Sequence, residues 1–138
     1  MTFGGLHYQG VFVAAVASLV FGAIYYMALS KLWTSALGTH ASEARFGLSR
    51  TTYSITALCE LVMAYMLAGV LGHLGRHQVT VQNGAVAALL LWVGFVATTM
   101  MVNYRYQGQK TALFWFDAIH WLGVLVIQGA VIGAFGSP

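Results

Sequence analysis

Four long apolar stretches limit what this chain can fold into more than any other feature of its sequence. They run from about Gln9 to Trp33, from about Thr52 to Leu74, from about Asn83 to Tyr104 and from about Thr111 to Phe135. Each is close to the roughly 20 residues that a helix needs to cross a bilayer core of about 30 Å. Hydrocarbon offers no hydrogen-bond partner, so each segment must satisfy its own backbone groups. The pattern predicts an all-α fold, an integral membrane bundle of four transmembrane helices.

The composition supports lipid as the surrounding solvent. Of the 138 residues, 59% are hydrophobic and only 7% are Asp, Glu, Lys or Arg, whereas roughly a quarter of an ordinary soluble domain is charged. Nine charged side chains cannot coat a water-soluble globule of this size. The connections between the apolar stretches are short, which predicts a single domain over residues 1–138. The basic residues form no patch, so we expect the lipid bilayer as a partner and no nucleic acid.

The positions of the basic residues predict the orientation of the bundle. Five of the six flank the first and third connections, and one lies on the opposite side: Lys31, Arg45, Arg50, Arg105 and Lys110 against Arg76. The positive-inside rule then places those two connections in the cytoplasm and both termini outside it. We expect a multi-pass protein of the cell (inner) membrane. Since the leader from Met1 to Gln9 has no Lys or Arg, the first stretch should remain as a helix and not be cleaved as a signal peptide.

Small residues recur along three of the predicted helices and mark packing faces. Such residues let helix backbones approach closely in a membrane. They form a stripe on each of the first and second helices and a pair on the fourth: Gly10, Ala14, Ser18 and Gly22; Ala64, Ala68 and Gly72; Gly129 and Gly133. The glycine pair on the fourth helix suits either contact within the bundle or association with another chain.

Glu60 is the first of the polar residues that an apolar helix should not contain. It lies about nine residues, or roughly 12 Å, into the second helix. A charged side chain at such a depth costs on the order of 2.5 to 3.5 kcal/mol on insertion scales. Its spacing from Ala64 and Ala68 places it on the packing face, so we expect Glu60 to point into the bundle.

The fourth helix carries a polar face of its own. Asp117, His120 and Gln128 share one side of this helix at about 100° per residue. Counted from the cytoplasmic end, Asp117 is about 8 Å deep and His120 about 12 Å, which matches the depth of Glu60. These residues could therefore meet inside the bundle.

Three interpretations of this group remain open. A neutral Glu60 hydrogen-bonded to a neighbouring helix would simply hold the bundle together. Alternatively, carboxyl and imidazole groups withdrawn from water can exchange a proton near neutral pH, which suits a proton relay or coupled transport. A transition metal also accepts such ligands, although three are fewer than a di-metal bundle site offers.

His73 and His77, at the outer end of the second helix, are weak candidates for a metal site. Two histidines four residues apart can share a metal, but Gly75 weakens the helical turn between them, and solvated loop histidines are the favoured interpretation. We therefore predict no metal and no cofactor. Lys31 is expected to reach the cytoplasmic interface and not to pair with Glu60.

The sequence leads to three functional hypotheses. The leading one is a small transporter or channel-like protein that handles protons or cations through Glu60, Asp117, His120 and Gln128. A second is an accessory subunit of a larger membrane complex, attached through the face of Gly129 and Gly133. The third is an enzyme acting on a lipophilic substrate, with Glu60 or Asp117 as general acid; enzymatic activity is the less favoured class. A homo-oligomer or a larger complex is expected, because one four-helix bundle has little interior.

Short motifs in the first and third helices resemble a bacterial membrane protein family. Gly22-Ala23-Ile24-Tyr25-Tyr26 and the following Lys31-Leu32-Trp33 are similar to the pattern that opens a set of small four-helix proteins, the family called domain of unknown function seventeen-sixty-one. Trp92-Val93-Gly94-Phe95 and the segment from Gly129 to Gly133 resemble it too. Met27-Ala28 stands where that family usually has Ser-Pro. The resemblance implies a four-helix fold and supplies neither an activity nor site residues.

Overall fold

A computed structural model describes residues 7–38 and 49–137, and the described chain is helical almost throughout. The helices are α1 (Tyr8–Ala28), α2 (Ser30–Leu37), α3 (Arg50–His73), α4 (Val81–Leu91), α5 (Thr98–Tyr106) and α6 (Thr111–Phe135). A short 3-10 helix, Arg76–Gln78, precedes α4, and a π-helical segment, Trp92–Ala97, joins α4 to α5.

Four spans are long and apolar enough to cross a membrane, which confirms the predicted fold class. They are α1, α3, the continuous helix Val81–Tyr106 and α6. The first predicted helix, Gln9 to Trp33, is interrupted at Leu29, where the backbone leaves helical geometry before α2 begins. Residues 34–37, predicted as loop, complete α2. Arg45 lies outside the described residues.

The last helix, α6, is the centre of the bundle. It packs against α1, α3 and α4. In its most apolar 18-residue segment 44% is buried, compared with 11% of the corresponding segment in the third span. The third span contacts α6 mainly through α4, since no residue of the π-helical segment or of α5 is buried. The polar face of α6 therefore lies where several helices converge.

Glycines allow α4 and α6 to touch backbone to backbone. A Cβ added to Gly129 would lie 2.2 Å from the carbonyl oxygen of Gly84, and one added to Gly133 would lie 2.2 Å from that of Thr80. The glycine pair of the fourth helix is thus used within the bundle. This contact was one of the two that the sequence left open.

The predicted stripes of small residues follow the buried faces, with one correction. Gly10, Ala14, Ser18 and Gly22 are all buried in α1. In α3 the stripe stops at Ala68, because Gly72 is exposed and Leu71 is the buried residue of that turn. Steps of four residues drift by about 40° around a helix with 3.6 residues per turn, so the stripe leaves the buried face.

We expect Gly129→Ala to destabilise the bundle markedly. The added methyl group meets the α4 backbone, which cannot rotate away as a side chain can, and overpacking of this kind costs about 1–3 kcal/mol or more. Gly94→Ala is the matched control, because a Cβ on Gly94 has nothing within 4 Å. Thermal unfolding in detergent measures the difference. Equal melting temperatures for the two variants would contradict the backbone contact.

Candidate functional site: a buried carboxyl between three helices

Glu60 is the point at which α3 enters the core. None of the ten residues of α3 that precede it is buried, whereas only 2% of Glu60 is exposed. Its carboxyl Oε2 is hydrogen-bonded to the hydroxyl of Ser18 on α1. The sequence predicted that Glu60 points inward, and the structure places it there, between α1 and α6.

Gln128 on α6 completes the junction. Its side-chain Nε2 donates to Ser18 Oγ at 2.9 Å and to the backbone carbonyl of Glu60 at 3.1 Å. A carbonyl oxygen only accepts hydrogen bonds, so the amide nitrogen, and not the amide oxygen, must face Glu60. One glutamine therefore links all three helices, and its Oε1 is buried without a partner among the described residues.

The hydrogen-bond count at Ser18 allows two protonation states of Glu60. Ser18 Oγ lies 3.0 Å from the carbonyl oxygen of Ala15 and is also bonded to Glu60, but a hydroxyl has one hydrogen to donate. When Glu60 is ionised, Ser18 donates to the carboxylate. When Glu60 is protonated, its carboxyl donates to Ser18, which turns its own hydrogen to Ala15. In both states the hydroxyl of Ser18 and carboxyl Oε2 of Glu60 stay hydrogen-bonded to each other.

Gly22 lies where Glu60 and His120 face each other. The position that a Cβ on Gly22 would occupy is 3.0 Å from His120 Nε2 and 4.0 Å from Glu60 Oε1. The absence of a side chain at this position lets the imidazole and the carboxyl approach the same small space. Gly22 had been identified from the sequence only as a packing residue.

Aromatic rings surround His120 on the side of Glu60 that faces the beginning of α6. Its ring is stacked on Phe21 at 6.0 Å between centroids and lies 5.4 Å from Tyr25 and 4.7 Å from Tyr26. Only 5% of the residue is exposed, and Nδ1 has no hydrogen-bond partner within the described part of the chain. The ring is thus fixed by packing, and Nε2 is directed towards Gly22.

Asp117 lies in a separate hydrogen-bonded group. The hydroxyl of Tyr26 donates to its Oδ1 at 2.9 Å, and that of Tyr104 donates to its Oδ2 at 2.6 Å. These bonds tie α6 to α1 and to α5 near one end of the bundle. From the sequence, Tyr104 only marks the end of the third apolar stretch, and Tyr26 only belongs to a family motif. The sequence did carry one signal for this contact: both tyrosines lie near the end of their helix on the side of the bundle where Asp117, the only acid on the fourth helix, is found.

The predicted site residues therefore form a sequence of layers along α6. Asp117 with its two tyrosines comes first, His120 with its aromatic neighbours second, and Glu60 with Ser18 and Gln128 third. Tyr26, Gly22 and Ser18 of α1 belong to the first, second and third layer. Their residue numbers fall as those of α6 rise, as expected for antiparallel helices. Glu60 and His120 are brought together across Gly22, whereas Asp117 and His120 share the neighbouring ring of Tyr26, which donates to Asp117 and packs against the imidazole.

The other candidates lie apart from this group. His73 Nδ1 is 2.6 Å from the carbonyl oxygen of Gly69 in its own helix, and His77 is exposed in the 3-10 helix. Among residues 7–38 and 49–137, no three His, Cys, Asp or Glu side chains are grouped so as to hold a metal ion. Lys31 is exposed and lines a surface cavity instead of approaching Glu60.

Comparisons with known proteins identify the family and nothing further. Neither the curated proteins nor the solved structures include a match to this chain. The family model described as "Protein of unknown function (DUF1761)" matches residues 9–133, which confirms the resemblance seen in the sequence. The match covers the second and third spans in full, nearly all of the first and fourth, and every residue of the buried group. The chain is a small multi-pass membrane protein of unknown activity, and it belongs to the DUF1761 family.

Proposed function

We propose that this chain is a proton-handling membrane protein in which Glu60 takes up and releases a proton inside the bundle. The observation that carries the proposal is the pairing of Glu60 with Ser18. Since this pairing keeps carboxyl Oε2 hydrogen-bonded in both the protonated and the ionised form, a proton can be gained or lost without breaking the contact with Ser18. A residue that served packing alone would need only one of these forms.

The layered arrangement supports access from one end of the bundle. Asp117 and His120 are groups that can carry a proton, and they lie between Glu60 and the end where α6 begins. By the distribution of basic residues, this end is the cytoplasmic one. We therefore propose cytoplasmic loading of Glu60, in a cell (inner) membrane protein with both termini outside the cytoplasm.

The opposite end of the bundle is closed by apolar side chains. Beyond Gln128 the buried core consists of aliphatic residues from three helices: Val11, Ala14, Leu67, Leu71 and Ile132. A continuous water-filled pore would need polar lining there. The arrangement favours a carrier, which exposes Glu60 to one side at a time, over an open channel.

We propose that one water molecule carries the proton across the space beside Gly22. His120 Nε2 and Glu60 Oε1 both face that space, and in the same buried group Gln128 Oε1 is an acceptor with no hydrogen-bond partner among the residues that the structure describes. A buried water is stable where two to four polar groups surround it. A bridging water would connect the second layer to the third.

The competing hypotheses find less support. The surface cavity that contains Lys31 is lined by neither Glu60 nor Asp117, so it gives a lipophilic substrate no access to a general acid. The face of Gly129 and Gly133, on which the accessory-subunit hypothesis was based, is already occupied by the third span. Association into a homo-oligomer or a larger complex stays a prediction, and the poorly buried third span offers a surface for it.

We expect Glu60→Gln to abolish proton flux while preserving the fold. Glutamine can still donate a hydrogen bond to Ser18 Oγ, but it cannot gain or lose a proton. The measurement is the rate of internal pH change in proteoliposomes after an imposed pH gradient. Glu43→Gln, the same chemical change in the connection between the first two spans, is the matched control and should keep the wild-type rate. Identical pH-dependent flux in wild type and Glu60→Gln would discard the proposal.

Gly22→Ala should lower the flux, and Gly22→Ser should restore part of it. The alanine methyl group occupies the space between His120 and Glu60, whereas the serine hydroxyl can replace a bridging water. Gly10→Ala is the control for general disturbance of α1, because its Cβ would be 2.9 Å from the Phe135 side chain, well away from Glu60. The same flux measurement applies. Equal rates for Gly22→Ala and Gly10→Ala would exclude a proton path at Gly22.

A further inference from the structure

A cavity of about 540 Å³ opens on the surface beside α2, at the end of the bundle where α6 begins. It is lined by Ser30, Lys31, Thr34, Ser35 and Gly38. These positions fall four residues apart in two rows, so they form one continuous face of the helix. Three hydroxyl groups and an ammonium group thus converge on a space that none of the proton-handling residues reaches.

A second ammonium group approaches the same face from α6. Lys110 directs its Nζ towards the carbonyl oxygen of Ser35 at 3.5 Å. Gly38 makes this approach possible: its φ is +63°, and a Cβ there would lie 2.7 Å from Lys110 Nζ. Neither of the two carboxyl side chains that the structure describes, Glu60 and Asp117, lines the cavity. Two ammonium groups therefore lie on or next to this face of α2, and neither described acid lines the cavity between them.

The position of the cavity along the chain places it at a membrane interface. It begins one residue beyond the break at Leu29 that ends the first span. Apolar side chains lie beside it, with 70% of Met27 and 63% of Leu32 exposed. An amphipathic helix with a basic polar face and exposed apolar residues is typical of a segment lying in the headgroup region.

We propose that the polar face of α2, together with Lys31 and Lys110, binds the phosphate headgroup of an anionic membrane lipid. The ammonium groups neutralise the phosphodiester, the hydroxyls of Ser30 and Ser35 donate hydrogen bonds to its oxygens, and the acyl chains lie along Met27 and Leu32; the hydroxyl of Thr34 donates to the carbonyl oxygen of Ser30 in its own helix. A free phosphate ion would use the same polar groups but would leave the apolar flank unused. This site is independent of proton handling by Glu60.

The test is lipid binding to the full chain in mild detergent, followed by native mass spectrometry. Phosphatidylglycerol and phosphatidylcholine with the same acyl chains are added separately, and inorganic phosphate is added in a third arm. We expect one tightly held phosphatidylglycerol per chain in preference to phosphatidylcholine. The double variant Lys31→Ala and Lys110→Ala should weaken that binding by at least about tenfold, since basic residues near an anionic surface attract its phosphate groups.

The control is the double variant Arg50→Ala and Arg105→Ala, which removes the same charge from the same end of the bundle but leaves the cavity intact. It should bind phosphatidylglycerol as the wild type does. Equal weakening of phosphatidylglycerol binding by both double variants would mean that net charge alone determines the binding, and it would overturn the proposed site. No preference for phosphatidylglycerol would overturn it as well. If inorganic phosphate binds as tightly as the lipid, the site recognises a free anion, and the lipid proposal is overturned. Melting temperatures of both variants establish that they are folded.

Discussion

The central constraint on this molecule is a carboxyl group that has been removed from water and must still be satisfied. The hydroxyl of Ser18 is hydrogen-bonded to the Glu60 carboxyl, and Gln128 donates both to Ser18 and to the backbone carbonyl of Glu60, so that α1, α3 and α6 meet at one junction. Removal of the Ser18 hydroxyl would leave the buried carboxyl without this bond, at a cost of about 1–3 kcal/mol. The helices are thus held in register by the group that we propose to be functional, so packing and chemistry depend on the same contacts.

Glycine has two distinct uses in this bundle. At Gly84 and Gly129 it lets α4 and α6 touch through their backbones, and hydrogen bonds from Trp92 and Tyr104 to α6 add to this contact further along the third span. At Gly22 it opens space next to His120 and Glu60. Since lipid tails are as apolar as the helix surfaces, close packing and hydrogen bonding replace the hydrophobic effect as the forces between helices.

The sequence was sufficient for the fold class and for the inward direction of Glu60, because length and hydropathy determine membrane spans and an acid in hydrocarbon must turn inward. The finer geometry was not predictable. Whether Gly129 faced a neighbouring helix or another chain depended on how α4 crosses α6. The separation of Asp117 from Glu60 depended on two tyrosines, Tyr26 and Tyr104, whose hydroxyls have no periodic signature. The break at Leu29 likewise followed no proline or glycine.

The most direct test of the proposed chemistry is the infrared carbonyl stretch of a protonated carboxylic acid, followed across pH in the purified protein. We expect a band that grows as the pH is lowered, shifts in deuterated water, disappears in Glu60→Gln and persists in Asp117→Asn. A titrating band that is unchanged in Glu60→Gln, or no titrating band in the wild type, would contradict proton exchange at Glu60.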